Sequence, residues 1–152
     1  MSVKLSEKQA ECLRIIESVP FVDFSTIDKD GFPSTRLMMN LRNKTQFSAL
    51  ALYEAEERPL TVYLTTHDAS EKMAEIRKNP KASLYFFNQT TFSAVLLMGT
   101  VEIVTDAVLR EKAWQKEWEK HYPSPDAGYA LLRFLPCKLK ACVGQTSFAE
   151  NF

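Results

Sequence analysis

In the segment LTVYLTTHDASEKMAEIRKNP, residues 60 to 80, the hydroxyls of Thr65, Thr66 and Ser70 and the ammonium of Lys72 fall close together. Donors gathered where a helix begins make a concavity suited to phosphate, because the first turn of a helix leaves backbone N–H groups without partners. The same residues permit a plainer role, in which hydroxyls and an acid near a helix start only cap it. His67 stands in the same polar turn, where it either reaches the anion or stays a solvated loop histidine. His121 falls at a helix end and favours the helix dipole when protonated.

The elements that would hold these donors are written locally. Leu60, Val62 and Leu64 alternate with Thr61, Tyr63 and Thr65, the two-residue period of a half-buried strand. Asp68 offers an N-cap and Glu71 stands three residues on, at capping-box spacing; Met73, Ala74 and Ile76 give the helix an apolar side, and Asn79-Pro80 stops it. Upstream, Ser6 opens an amphipathic helix in which Ala10, Leu13 and Ile16 recur at helical spacing until Pro20. FVDFSTI and FPSTRLMMNL read as a hairpin around Asp28-Lys29-Asp30-Gly31, with Gly31 free to take positive φ. The stretch from Arg42 to Pro59 is mixed, with apolar anchors at Phe47, Leu50, Leu52 and Tyr53 and a charged end, Glu54 to Arg58, expected to be a solvated connection.

Downstream, KASLYFFN and TFSAVLLMGTVEIVT are two β-like runs joined at Asn88-Gln89-Thr90, and Gly99 inside the longer one marks a bulge or bend. Asp106 caps an expected third helix, AVLREKAWQKEWEKHY, whose Trp114, Trp118 and Tyr122 stack at four-residue intervals as packing residues. YALLRFLP and CKLKACVG read as two strands and Gln145 to Phe152 as a tail. Connections this short rule out parallel crossovers, so the expected fold is α+β: an antiparallel, closed Greek-key barrel of about six strands with flanking helices.

A chain of 152 residues with 45% hydrophobic content reads as one domain, residues 1–152, able to bury about two-thirds of its unfolded surface. Nineteen basic residues balance nineteen acidic ones, so no global field draws in nucleic acid or an anionic membrane. A small barrel of this kind can serve single-stranded nucleic acid, but no basic strand face interleaved with aromatics supports that reading. Cys12, Cys137 and Cys142 form no CxxC pair and are read as free thiols of a reducing, cytoplasmic setting. The polar N-terminus and the lack of a long apolar run support neither a signal peptide nor a membrane helix.

Taken together, FSTIDKDGFPSTRLMM, YLTTHDASEKMAEIRKNPKASLYF, LLMGTVEIV and YALLRFLPCKLKA resemble, in order and spacing, the pyridoxamine 5'-phosphate oxidase-like split barrels that bind FMN, and within them the general stress protein 26 branch. The resemblance covers most of the chain and implies a homodimer with FMN held across the subunit interface. It places Arg36, Leu37, Met38 and Met39 on the strand beside the isoalloxazine ring, with Arg36 also reaching the phosphate end. It puts Thr65 and Thr66 at the ribityl-phosphate region and Ser70 and Lys72 at the phosphate. On residue type alone Arg36 reads as a surface arginine at a strand end.

The departures from the family pattern narrow the function. Leu41 and Glu71 stand where pyridoxamine phosphate oxidases carry basic residues, Ala94 where a glutamine reaches the flavin, and Cys142 where a tryptophan stands near the chain end. The arginine-histidine tail that helps bind pyridoxamine phosphate is missing. Vitamin B6 oxidation is therefore not expected, and an anion at position 71 weakens the hold on phosphate. The resemblance implies a flavoprotein of the general stress type that passes hydride or electrons between a reduced nicotinamide and an unknown acceptor. No side chain stands out as a base or nucleophile, which suits chemistry carried by a cofactor. The alternative is a split barrel that holds flavin or haem for storage or sensing without turnover.

Overall fold

The computed structural model describes residues 4–47 and 51–152. Leu50, one of the apolar anchors, lies outside the described residues. The chain runs α1 (Glu7–Ser18), β1 (Phe21–Ile27), β2 (Pro33–Met39), a 3-10 turn (Ala51–Tyr53), β3 (Val62–His67), α2 (Glu71–Lys78), β4 (Lys81–Asn88), β5 (Ser93–Val104), α3 (Ala107–Ala113), a second 3-10 segment (Lys116–Lys120), β6 (Tyr129–Val143) and β7 (Thr146–Asn151).

Seven antiparallel strands form one sheet in the order β2-β1-β4-β5-β6-β3, with β7 also on β6. The barrel is the split form that the resemblance implies, without the closure expected from the strand pattern: no ladder joins β2 to β3, the two ends of the path. Closure is instead local and made by a side chain. Arg42, just past β2, donates from Nε and Nη2 to the Thr61 carbonyl just before β3, at 2.9 and 2.7 Å. The barrel is thus split along that seam.

Along β1, Val22, Phe24 and Thr26 are buried while Phe21, Asp23 and Ser25 lie on the outer face, so the period-two pattern read from the sequence holds. The inward residues of the curled sheet meet α1, whose Cys12, Ile15 and Ile16 are buried among Phe24, Leu64, Leu84 and Phe134. Ser6 accepts from the Gln9 amide and Gln9 answers onto the Ser6 amide, a complete capping box for α1. Asn40 fastens the other end by donating to the Ile16 and Val19 carbonyls at 2.7 and 2.8 Å.

Several elements differ from expectation. β3 begins at Val62 because Leu60 has φ +60, a left-handed conformation that breaks the alternation expected from that residue onward. The third helix stops at Ala113. Trp114 is extended (ψ 133), and the chain resumes as 3-10 helix. That break lets Trp114, Trp118 and Tyr122 surround one ring, Tyr129, at 5.4, 6.0 and 5.5 Å, which a straight helical stripe does not allow.

The last two expected strands are one, β6, running through Pro136. Pro136 pairs opposite Gly99, where the β5–β6 register shifts, so its missing N–H falls at an interruption already present. At Gly99 a Cβ would meet the Leu135 carbonyl oxygen at 2.1 Å, so the glycine is required by close approach of two backbones. The expected tail is strand β7, and its inner face holds α1 through Gln9 to Glu150 at 2.9 Å and Lys8 over Phe148.

Candidate functional site

Four of the eight residues assigned to the site converge where β3 delivers the chain to α2. Ser70, not Asp68, is the N-cap, with extended φ and ψ of −72° and 153°; its side chain makes no capping bond. The hydroxyl stays 3.5 Å from Thr66 Oγ1. Lys72 Nζ donates to Thr66 Oγ1 at 2.7 Å. Its ammonium is held below the usual lysine range, first by burial and then by the nearby Arg36 guanidinium, with Glu75 opposing both. A cation destabilised in this way gains from an incoming anion.

Arg36 reaches the same place from β2. Its Nη1 donates to Thr26 Oγ1 at 2.8 Å and to the Phe24 carbonyl at 3.4 Å, and Nη2 donates to Ser34 Oγ at 3.1 Å and pairs with Glu75 Oε2 at 3.3 Å. Thr26 in turn donates to the same Glu75 oxygen at 3.1 Å. Far from a surface arginine, it ties the hairpin to α2. Beside this cluster a cleft of about 420 Å³ opens between the β1–β2 turn and α2, lined by Asp28, Ser34, Glu71, Glu75 and Lys78 among others.

The other four assigned residues lie elsewhere. Leu37 and Met39 are exposed on the outer face of β2, 62% and 37% accessible, while Met38 points into the core. Thr65 alternates to the opposite side of β3 from Thr66 and lies beside the Tyr122 phenol. His67 is the exposed last residue of β3, its ring 4.8 Å from that of Tyr122.

Sequence reasoning missed Thr26, Ser34 and Glu75. A helical signal for Glu75 existed, since it follows Lys72 by three residues and so shares its side of α2. It also missed a second polar group. Glu56, expected to be solvated, keeps only 12% of its side chain exposed, accepts the Tyr63 hydroxyl and pairs with Arg133 at 3.2 Å. Arg133 also donates to Tyr63 Oη at 3.0 Å and reaches Glu102 at 3.4 Å.

The positions that depart from the family pattern are structurally coherent. Leu41, 1% exposed, lies inside the aromatic cluster with Trp118 and Tyr129. Glu71 is exposed in the first turn of α2. Ala94 and Cys142 face each other in the β5–β6 register and line a shallow depression of about 540 Å³ with Tyr85, Leu96 and Lys140.

An exposed edge strand, a helix start crowded with hydrogen-bond donors and the split sheet agree with a family model described as pyridoxamine 5'-phosphate oxidase, which matches residues 8–140. The chain belongs to that family. Among solved structures, it is similar to a protein of Clostridium acetobutylicum related to general stress protein 26 of Bacillus subtilis, with 24% identity, TM-score 0.77 and 97% of each chain covered. General stress protein 26 of Bacillus anthracis is similar at 17% identity and TM-score 0.71, over 95% of this chain and 100% of that one. A pyridoxamine 5'-phosphate oxidase-related, FMN-binding protein of Nostoc punctiforme is similar at 15% identity and TM-score 0.63, over 99% of both. At such identities the likeness shows the fold. No curated protein matches in sequence.

Among the described residues no helix is long and apolar enough to cross a membrane, and no three His, Cys, Asp or Glu side chains are grouped to hold a metal. The donor set fits a phosphate: Lys72 keeps donor capacity beyond its bond to Thr66, with two hydroxyls and the start of α2 beside it.

Proposed function

We propose that this chain is an FMN-binding flavoprotein of the general stress protein type, working as a homodimer that exchanges electrons between a reduced nicotinamide and a second, small acceptor. The observation that carries the reading is the convergence of Lys72, Thr66, Ser70 and Arg36 at the start of α2. Lys72 and the hydroxyls hold the phosphate, and Arg36 adds positive charge behind them. β2 is an edge strand, paired with β1 only, so its free N–H and C=O groups are available to the polar rim of an isoalloxazine, with Leu37 and Met39 against the ring. FMN would supply the redox chemistry; the chain supplies orientation and charge.

The partner is a second copy. Phe21, Leu37, Met39, Tyr85 and Phe87 are all exposed and lie on one face of adjoining strands, an apolar patch of the kind that marks an interface. The three free cysteines suit a reducing cytoplasm. An absorbance spectrum with and without added FMN, followed by anaerobic NADPH, tests the activity. Bound flavin that bleaches supports the oxidoreductase; bound flavin that never bleaches leaves a storage or sensing role.

A further inference from the structure

The half-buried charges of the site do not add up to a strong dianion receptor. Each of the four Nη hydrogens of Arg36 has a partner inside the chain: Thr26 Oγ1, the Phe24 carbonyl, Ser34 Oγ and Glu75. Glu75 has 13% of its side chain exposed, so solvent screens its charge poorly. Its Oε2 accepts from both Thr26 and Arg36. Lys72, by contrast, is engaged by Thr66 and retains ammonium hydrogens for a ligand.

From this geometry we infer that Glu75 is a specificity-determining residue: it takes the place of a ligand anion on Arg36 and lowers the preference of the site for a phosphorylated flavin over an unphosphorylated one. The inference rests on the flavin reading. An arriving phosphate meets Lys72 and Arg36 offset by one half-buried carboxylate, with Glu71 adding a solvated one at the helix start. To contact Arg36 through its Nη atoms, phosphate has to displace Glu75 or Ser34. Riboflavin has no phosphate, so its affinity is indifferent to Glu75.

Glu75→Gln is the discriminating change. The amide oxygen still accepts from Thr26 and Arg36, so the hairpin stays tied to α2, and only the charge is removed. Flavin fluorescence titrations of wild type and E75Q, with FMN and with riboflavin, should show FMN binding tightened about tenfold and riboflavin binding unchanged. Circular dichroism and thermal unfolding of both apo proteins confirm that E75Q is folded. FMN affinity that is unchanged or weakened in folded E75Q would overturn the inference alone, making Glu75 a brace that positions Arg36. Failure of both proteins to bind either flavin would overturn the flavin reading and this inference with it.

Discussion

Cys12 shows how strongly burial sets side-chain chemistry in this chain. It is fully buried in the α1 interface, and burial first, then Glu11 and Glu150, push its thiol from 9.0 up to about 11. Tyr63 rises from 10.0 to about 12, by burial and by its bond to Glu56. Both groups bind protons more tightly folded than unfolded, so their contribution to stability is complete below the unfolded values and is lost as pH rises through 9–11 for Cys12 and 10–12 for Tyr63. Lys72 works in the other direction, since its lowered folded value makes stability rise with pH below 10.5. The buried thiol and phenols outnumber it. Urea unfolding should therefore give lower stability at pH 10.5 than at pH 8, and Cys12→Ala should flatten the slope between pH 9 and 11. Thiol labelling at pH 8 should modify exposed Cys137 in the native protein and reach Cys12 only after denaturation.

Residues that act through their own neighbours in sequence were readable in advance. Thr66, Ser70 and Lys72 lie within one strand–turn–helix segment, so their spacing alone brings their side chains together. Glu75 was not readable as part of it, because its role depends on α2 docking against the β1–β2 hairpin. The Glu56–Tyr63–Arg133 group was invisible for the same reason: only the β3–β6 ladder brings Tyr63 opposite Arg133. Thr65, adjacent to Thr66 in sequence, is turned by strand alternation to the other side of β3, beside Tyr122.

Among the elements, hairpins and helix starts followed local rules, and departures came where tertiary packing overrode them. The expected third helix had a good cap in Asp106, whose carboxylate accepts from the Val108 and Leu109 amides, yet gathering the tryptophans around Tyr129 ended it early. The split of β6 at Pro136 followed a sound rule for proline in strands and failed because Gly99 had already broken the ladder there. That pairing gives a sharp expectation. Gly99→Ala forces a methyl onto the backbone of β6 at Leu135 and should lower stability by about 2–4 kcal/mol in denaturant unfolding. Ala94→Gly, in the same strand with its side chain half-exposed, should cost about 1 kcal/mol.

At the scale of the whole molecule, a single row crosses the outer face of the sheet: Asp23, Tyr85, Leu96 and Lys140 stand opposite one another on β1, β4, β5 and β6. In the proposed homodimer, a two-fold axis near the middle of that row would set Asp23 of one copy against Lys140 of the partner, and the reverse. Asp23→Lys and Lys140→Asp should each weaken the homodimer about tenfold. Mixed together, the two variants should pair with each other, restoring both contacts. Sedimentation of the separate and mixed proteins reads this out, and variants that dimerise as well alone as together would move the interface elsewhere.

Lys72 tests most directly whether the start of α2 holds a flavin phosphate. In fluorescence titrations of wild type and Lys72→Glu, FMN should bind wild type near one per chain and lose about tenfold or more in the variant, while riboflavin changes by less than about twofold. Equal losses for the two flavins, or an FMN affinity untouched by the reversed charge, would contradict it.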